Sequence, residues 1–126
     1  DAYMAAGGLP DPQGSGPLEV VLAGLEMQDF IIARKLERDA SGQPAFAMRV
    51  GIHTGPVIAG IVGVKKFQYD IWGDTVNTAS RMESSGEAEK VNISETTYNL
   101  IKSQSGLRFD PRGLIVAKGK GEISMF

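Results

Sequence analysis

An α/β chain of the α+β kind, with a mixed sheet, is predicted by three features. Leu18, Val21, Leu22, Leu25, Ile32 and Leu36 recur at helical spacing and mark one long amphipathic helix. Phe46, Met48, Val50 and Ile52 alternate as a strand does when one face is buried. Further short strand and helix patterns then follow one another without an internal repeat.

Each element has a local reason. Ala2 to Ala6 reads as a small-residue strand. Leu9 to Gly16 is a loop, punctuated by Pro10, Pro12, Gly14 and Gly16. Pro17 suits the first turn of the long helix, and Glu19 favours the positive end of its dipole. Asp29 interrupts the stripe, either as a partnered polar group or at an exposed helix end. Ser41-Gly42 ends the helix. Ala45 to His53 is a strand, Thr54-Gly55-Pro56 breaks it, and Val57 to Val64 makes a second. Gln68 to Trp72 is a third, turned by Gly73-Asp74 into a helix from about Thr75 to Ser84. Val91 to Ile93 is a short strand. Ser94 caps a helix through about Ile101, its hydroxyl accepting from the exposed N–H groups. Leu107 to Phe109 and Leu114 to Ala117 extend toward a final strand, Ile123 to Phe126.

Composition removes several function classes. The 126 residues suit one domain or most of one. The 13 basic and 15 acidic side chains leave a formal charge of −2, which offers no field for nucleic acid or an anionic membrane. No cysteine is present, which rules out a disulfide frame, a thiolate metal site and a cysteine nucleophile. His53 is the only histidine, which argues against a histidine-based zinc centre. At a strand end it reads as a hydrogen-bonded structural residue rather than a base. Gly51, Gly55, Gly60 and Gly63 are not followed by Gly-Lys-Ser/Thr, so they form no P-loop, and they do not match the dinucleotide fingerprint. They read as places of close strand packing and tight turns. Asn92-Ile93-Ser94 has the pattern of a glycosylation acceptor, discounted because nothing suggests secretion. No apolar run approaches the ~20 residues of a membrane helix.

The chemistry concentrates in Phe67 to Gly86, FQYDIWGDTVNTASRMESSG. It reads as a strand, a tight turn and a helix. Asp70 sits near the strand end, and Asn77 and Arg81 lie four residues apart on one helix face. Val76, Ala79 and Met82 point elsewhere. An amide and a cation on a shared face can hold a ribose and a phosphate. They can also be ordinary surface residues, which is the reading that spacing alone favours.

This stretch resembles the signature of the class III nucleotide cyclases, the adenylate and guanylate cyclase catalytic domain. Three more segments agree in order: Asp1 to Gly8 (DAYMAAGG), Met48 to Val57 (MRVGIHTGPV) and Val116 to Glu122 (VAKGKGE). The resemblance covers nearly the whole chain and is weakest at Leu9 to Gly14 and Glu87 to Ser105. It implies a ferredoxin-like core with a mixed sheet. It also implies that a first strand, two helices and a second strand precede Asp1, carrying one metal-binding aspartate and a base-reading lysine. Residues 1–126 are therefore expected to be the C-terminal two-thirds of the domain.

The resemblance implies roles for individual residues. A cyclase joins the ribose 3′-oxygen to the α-phosphorus and expels pyrophosphate, a reaction governed by positioning and charge stabilisation. Asp1 matches a metal-binding aspartate, for two Mg2+ or Mn2+ ions per site in the complete domain. Asp70 matches the base reader, with Ile71 beside it in the substrate pocket. A carboxylate accepts but does not donate, so it suits the adenine 6-amino group and opposes the guanine carbonyl. Guanylate cyclases usually carry a small residue such as cysteine there. Asn77 matches the residue that orients the ribose, and Arg81 the one that stabilises charge building on the α-phosphate. Lys118 matches the lysine that holds the terminal phosphates, and Lys120 has a lesser claim. Trp72 reads as packing rather than base stacking. Pro56 departs from one half of the mammalian heterodimeric enzymes, where an arginine helps to bind phosphate.

The set is therefore expected to make cyclic AMP and pyrophosphate from ATP. Because Asp1 accompanies the base, ribose and phosphate readers, the resemblance implies a homodimer with two equivalent sites across a twofold axis. Regulatory sensor domains in the parent chain, a cytoplasmic catalytic domain and no direct membrane or nucleic-acid contact complete the expectation. The alternatives are a guanylate cyclase, which Asp70 opposes, and a noncatalytic cyclase-like module for dimerisation or nucleotide sensing.

Overall fold

The long apolar period becomes a helix, α1 (Pro17–Ala40), entered through Pro17 and a Glu19 carboxylate that accepts the Gly16 N–H at 3.0 Å. The computed structural model describes residues 4–7, 16–44, 47–56, 58–62, 68–104, 106–117 and 121–126. The remaining elements are β1 (Val50–Ile52), β2 (Ile58–Val62), β3 (Gln68–Trp72), α2 (Asp74–Ser84), β4 (Val91–Ile93), α3 (Glu95–Ile101), β5 (Gly113–Ala117) and β6 (Gly121–Met125).

The strands pair in both senses, as a mixed α/β architecture requires. β1 runs parallel to β4, with Gly51 opposite Asn92, whereas β2–β3 and β5–β6 are antiparallel. Ile93 and Phe126 exchange backbone hydrogen bonds at 3.0 and 2.9 Å, which carries the β4 edge on to the end of β6.

Four sequence expectations change. Residues 4–6 are not a strand, and 2 and 3 lie outside the described residues. Of the strand expected over Ala45 to His53, only Val50–Ile52 forms β1 among the described residues, with 47–49 irregular and 45 and 46 outside them. Leu107 to Phe109 form no strand; Leu107 and Phe109 instead pack their side chains on the core. The buried face of α1 is Val21, Gly24 and Gln28, whereas Leu22, Leu25 and Leu36 are exposed.

Gly24 explains that rotation. A Cβ at Gly24 would stand 3.3 Å from Val50 Cγ1 and 3.4 Å from Ile52 Cδ1. The helix therefore packs closely on β1 at this residue. One turn on, Gln28 enters the interior and its Nε2 donates to the carbonyls of Met48 (2.8 Å) and Lys90 (2.7 Å). These carbonyls precede β1 and β4, so one amide ties the helix to both strands. Asp29, the residue that broke the stripe, faces solvent.

The core has two parts. Val21, Ile52, Ile93 and Ile101 form one, bordered by Tyr98, whose ring stacks on Phe126 at 3.8 Å and meets Phe109 edge-on at 5.1 Å. Met82 and Met125 form the other, under Ile115 and Ile123. α2 contributes Met82 to this second part, which is how it is seated on the sheet.

Candidate active site

Gly73 begins the local geometry. Its φ of 125° is reached at low cost by glycine, and its carbonyl accepts the Asn77 N–H at 3.1 Å. The chain thus turns sharply from β3 into α2. Thr75, Thr78 and Met82 form the buried face of that helix. Asn77 is exposed and Arg81 half-buried, one turn apart on the other side, as their spacing predicts. Neither side chain makes a hydrogen bond or ion pair among the described residues.

The buried face is held at both ends. At the start of α2, Thr75 Oγ1 donates to the Pro56 carbonyl at 2.5 Å. Pro56 thus serves α2 through its backbone carbonyl. Near the end of α2, its backbone rests directly on Gly51: a Cβ there would run into Glu83 N and the Met82 carbonyl carbon, and would stand 2.6 Å from Glu83 Cα. Asn92 Nδ2 donates to the Met82 carbonyl at 2.9 Å, and Asn92 Oδ1 accepts from Arg112 Nη1 at 2.7 Å. An exposed Arg49–Glu83 pair at 3.4 Å adds little at this end.

β3 positions the base-reading candidates by register. Asp70 stands opposite Gly60, and Ile71 opposite Ala59. Only the backbone of β3 is described. Asp1, Lys118 and Lys120 lie outside the described residues. The structure therefore places Asn77 and Arg81 together and sets Asp70 and Ile71 on the strand leading to them. His53 takes the structural role expected of it, with Nδ1 2.6 Å from Ser94 Oγ. Asn92 is 2% exposed, which removes it as a glycan acceptor.

Sequence reasoning missed Gln28, Asn92 and Arg112. All three are polar residues whose partners are distant in sequence, so no local pattern marks them. Only Gly51 carried a signal, as a glycine inside an apolar alternation.

Among the described residues no group of three or more His, Cys, Asp or Glu side chains comes together as a metal site. Also among them, no helix is long and apolar enough to cross a membrane.

Comparison with known proteins identifies the fold and the family. The human guanylate cyclase soluble subunit beta-2 is 46% identical over 126 residues, which is 100% of this chain and 20% of that protein. The guanylate cyclase domain of RhGC from Catenaria anguillulae, solved with GTP, superposes with a TM-score of 0.80 at 32% identity, covering 94% of this chain and 62% of that one. The adenylyl cyclase CyaB from P. aeruginosa superposes with a TM-score of 0.81 at 31% identity, covering 93% and 61%. The chain thus spans about a fifth of the curated relative and three-fifths of the solved domains. The curated relative is of the guanylate type, so the likeness supports a nucleotide cyclase and favours the guanylate alternative over the adenylate type expected from Asp70. With the family model matching residues 1–126, the chain belongs to the adenylate and guanylate cyclase catalytic domain family.

Proposed function

We propose that this chain is the substrate-reading part of an adenylate cyclase, which closes ATP to cyclic AMP with loss of pyrophosphate. The observation that carries the catalytic reading is the solvent face of α2. It presents Asn77 and Arg81 one turn apart, uncommitted to other described residues, on a helix whose opposite face is clamped to the sheet. Such a face suits a ribose and an α-phosphate. Asn77 would orient the ribose. Arg81 would donate to the phosphate oxygens as charge grows on them, and a fixed guanidinium costs little reorganisation at that moment.

The choice of base rests on Asp70. At equal fold similarity the solved relatives include a guanylate and an adenylyl cyclase, so the fold leaves the base open. A carboxylate at the base-reading position accepts from an amino group and repels a carbonyl, which favours ATP. A second reading, GTP as substrate, is favoured by the curated guanylate cyclase relative. Lys118 would hold the terminal phosphates. Asp1 would contribute to binding Mg2+ or Mn2+, for which a carboxylate oxygen is a fitting donor. Such ions would neutralise the triphosphate and lower the pKa of the 3′-hydroxyl. We further propose a homodimer with the sites at its interface, acting in the cytoplasm under sensor domains elsewhere in the protein.

Assay of the full-length protein carrying this chain, with ATP and GTP in parallel and each metal, decides between the readings. Higher kcat/KM for ATP supports the adenylate reading. Equal or greater turnover of GTP establishes the guanylate one. No turnover of either leaves the noncatalytic module.

A further inference from the structure

The carbonyls in the last turn of a helix lack intrahelical partners and must find others. In α2 (Asp74–Ser84) the Arg81 carbonyl receives Ser85 N–H at 2.9 Å, and the Glu83 carbonyl receives Gly86 N–H at 3.0 Å. The Met82 carbonyl between them is taken by a side chain from another element, Asn92 of β4. Asn92 is buried, and its amide orientation follows from its partners. Nδ2 faces the Met82 carbonyl and the Met125 sulfur at 3.3 Å, and Oδ1 faces Arg112. Arg112 is itself held through its backbone N–H to the Met125 carbonyl at 2.9 Å, and Glu87 lies 4.0 Å from its Nη2.

We propose that Asn92, oriented by Arg112, is a positioning residue for the cyclase reaction: it holds the last turn of α2 and thereby sets the reach of Arg81. This rests on the role given to Arg81 above. Arg81 is bonded directly to Met82, so a shift of the Met82 carbonyl moves the Arg81 backbone with it. A guanidinium displaced by about 1 Å from a developing charge loses much of its value in the transition state, while ground-state binding changes less.

The test uses the full-length protein with Asn92→Asp, Arg112→Ala and Arg112→Lys, each alone and combined with Arg81→Ala. Asn92→Asp keeps size and the Arg112 contact but faces the Met82 carbonyl with an acceptor. It should lower kcat roughly 10- to 10²-fold with KM changed less than about twofold. Arg112→Ala should act in the same direction, and Arg112→Lys should recover most of the loss. In the Arg81→Ala background, Asn92→Asp should lower kcat no further, because its effect passes through Arg81. A full multiplicative loss in that background, or an unchanged kcat in the single variants, overturns the proposal. If Asn92→Asp does not fold, the Arg112 pair decides by the same criteria. If the wild-type protein cyclises neither nucleotide, the functional reading falls. Amide exchange then decides the positioning: faster exchange at Ser85 and Gly86 in the variants supports the clamp, and unchanged exchange refutes it.

Discussion

Gly51 and Asn92 are register partners across the parallel β1–β4 pair, and both meet the same turn of α2, at Met82 and Glu83. One does so by having no side chain, which lets the helix backbone settle on the strand. The other does so by its amide, which takes the Met82 carbonyl. The helix that carries Asn77 and Arg81 is thus seated by two adjacent sheet positions.

Gly51→Ala should be strongly destabilising. Its Cβ would overlap backbone atoms of α2, which no rotamer change relieves. Overpacking typically costs about 1–3 kcal/mol, and a backbone obstacle belongs at or above the upper end. Urea unfolding measures it, and an unchanged midpoint would show that α2 does not rest on β1.

Arg81→Ala and Asn77→Ala should separate activity from stability. Both positions lie on the outer side of α2, so unfolding free energies should stay within about 0.5–1 kcal/mol of wild type. Under the proposed function, kcat should fall on the order of 10²-fold or more while substrate binding changes much less. A variant with normal kcat would be an ordinary surface substitution.

Asp70→Cys should move nucleotide preference toward GTP. Under the proposed function, removing the carboxylate takes away an acceptor matched to adenine and a repulsion aimed at guanine. The ratio of kcat/KM for ATP over GTP is expected to drop at least ~10-fold. A constant ratio would take base selection away from Asp70.

Gln28→Met should cost stability without touching the proposed chemistry. It preserves length but removes the amide donor of the Lys90 carbonyl, while the Met48 carbonyl keeps the Glu89 N–H. Loss of these two bonds is expected to cost about 1–3 kcal/mol. A lower thermal midpoint with kcat unchanged in the surviving folded protein is expected; an unaltered midpoint would mean that water replaces the amide.

Ser94→Ala should cost about 1 kcal/mol, the usual loss of an N-cap, because its side chain accepts from Thr97 N–H at the start of α3 and meets His53. Thermal unfolding reads this directly. A midpoint equal to wild type would show that another group caps α3.

Local rules make much of this protein legible in its sequence alone. Period and capping place α1, α2 and α3 to within a residue or so, because Pro17, the Gly73 turn and Ser94 act on their immediate neighbours. The spacing of Asn77 and Arg81 puts them on one face for the same reason. Tertiary structure decides the rest. The apolar period of α1 centres on its leucines, yet Gly24 and Gln28 face the sheet, because the close crossing over Val50 and Ile52 admits only a small residue there. The clamp on α2 joins Gly51, Met82, Asn92 and Arg112, four residues spread over 62 positions. Helical and strand periods relate a residue to neighbours a few places away, so a carbonyl satisfied by an amide from a different strand leaves no mark in them.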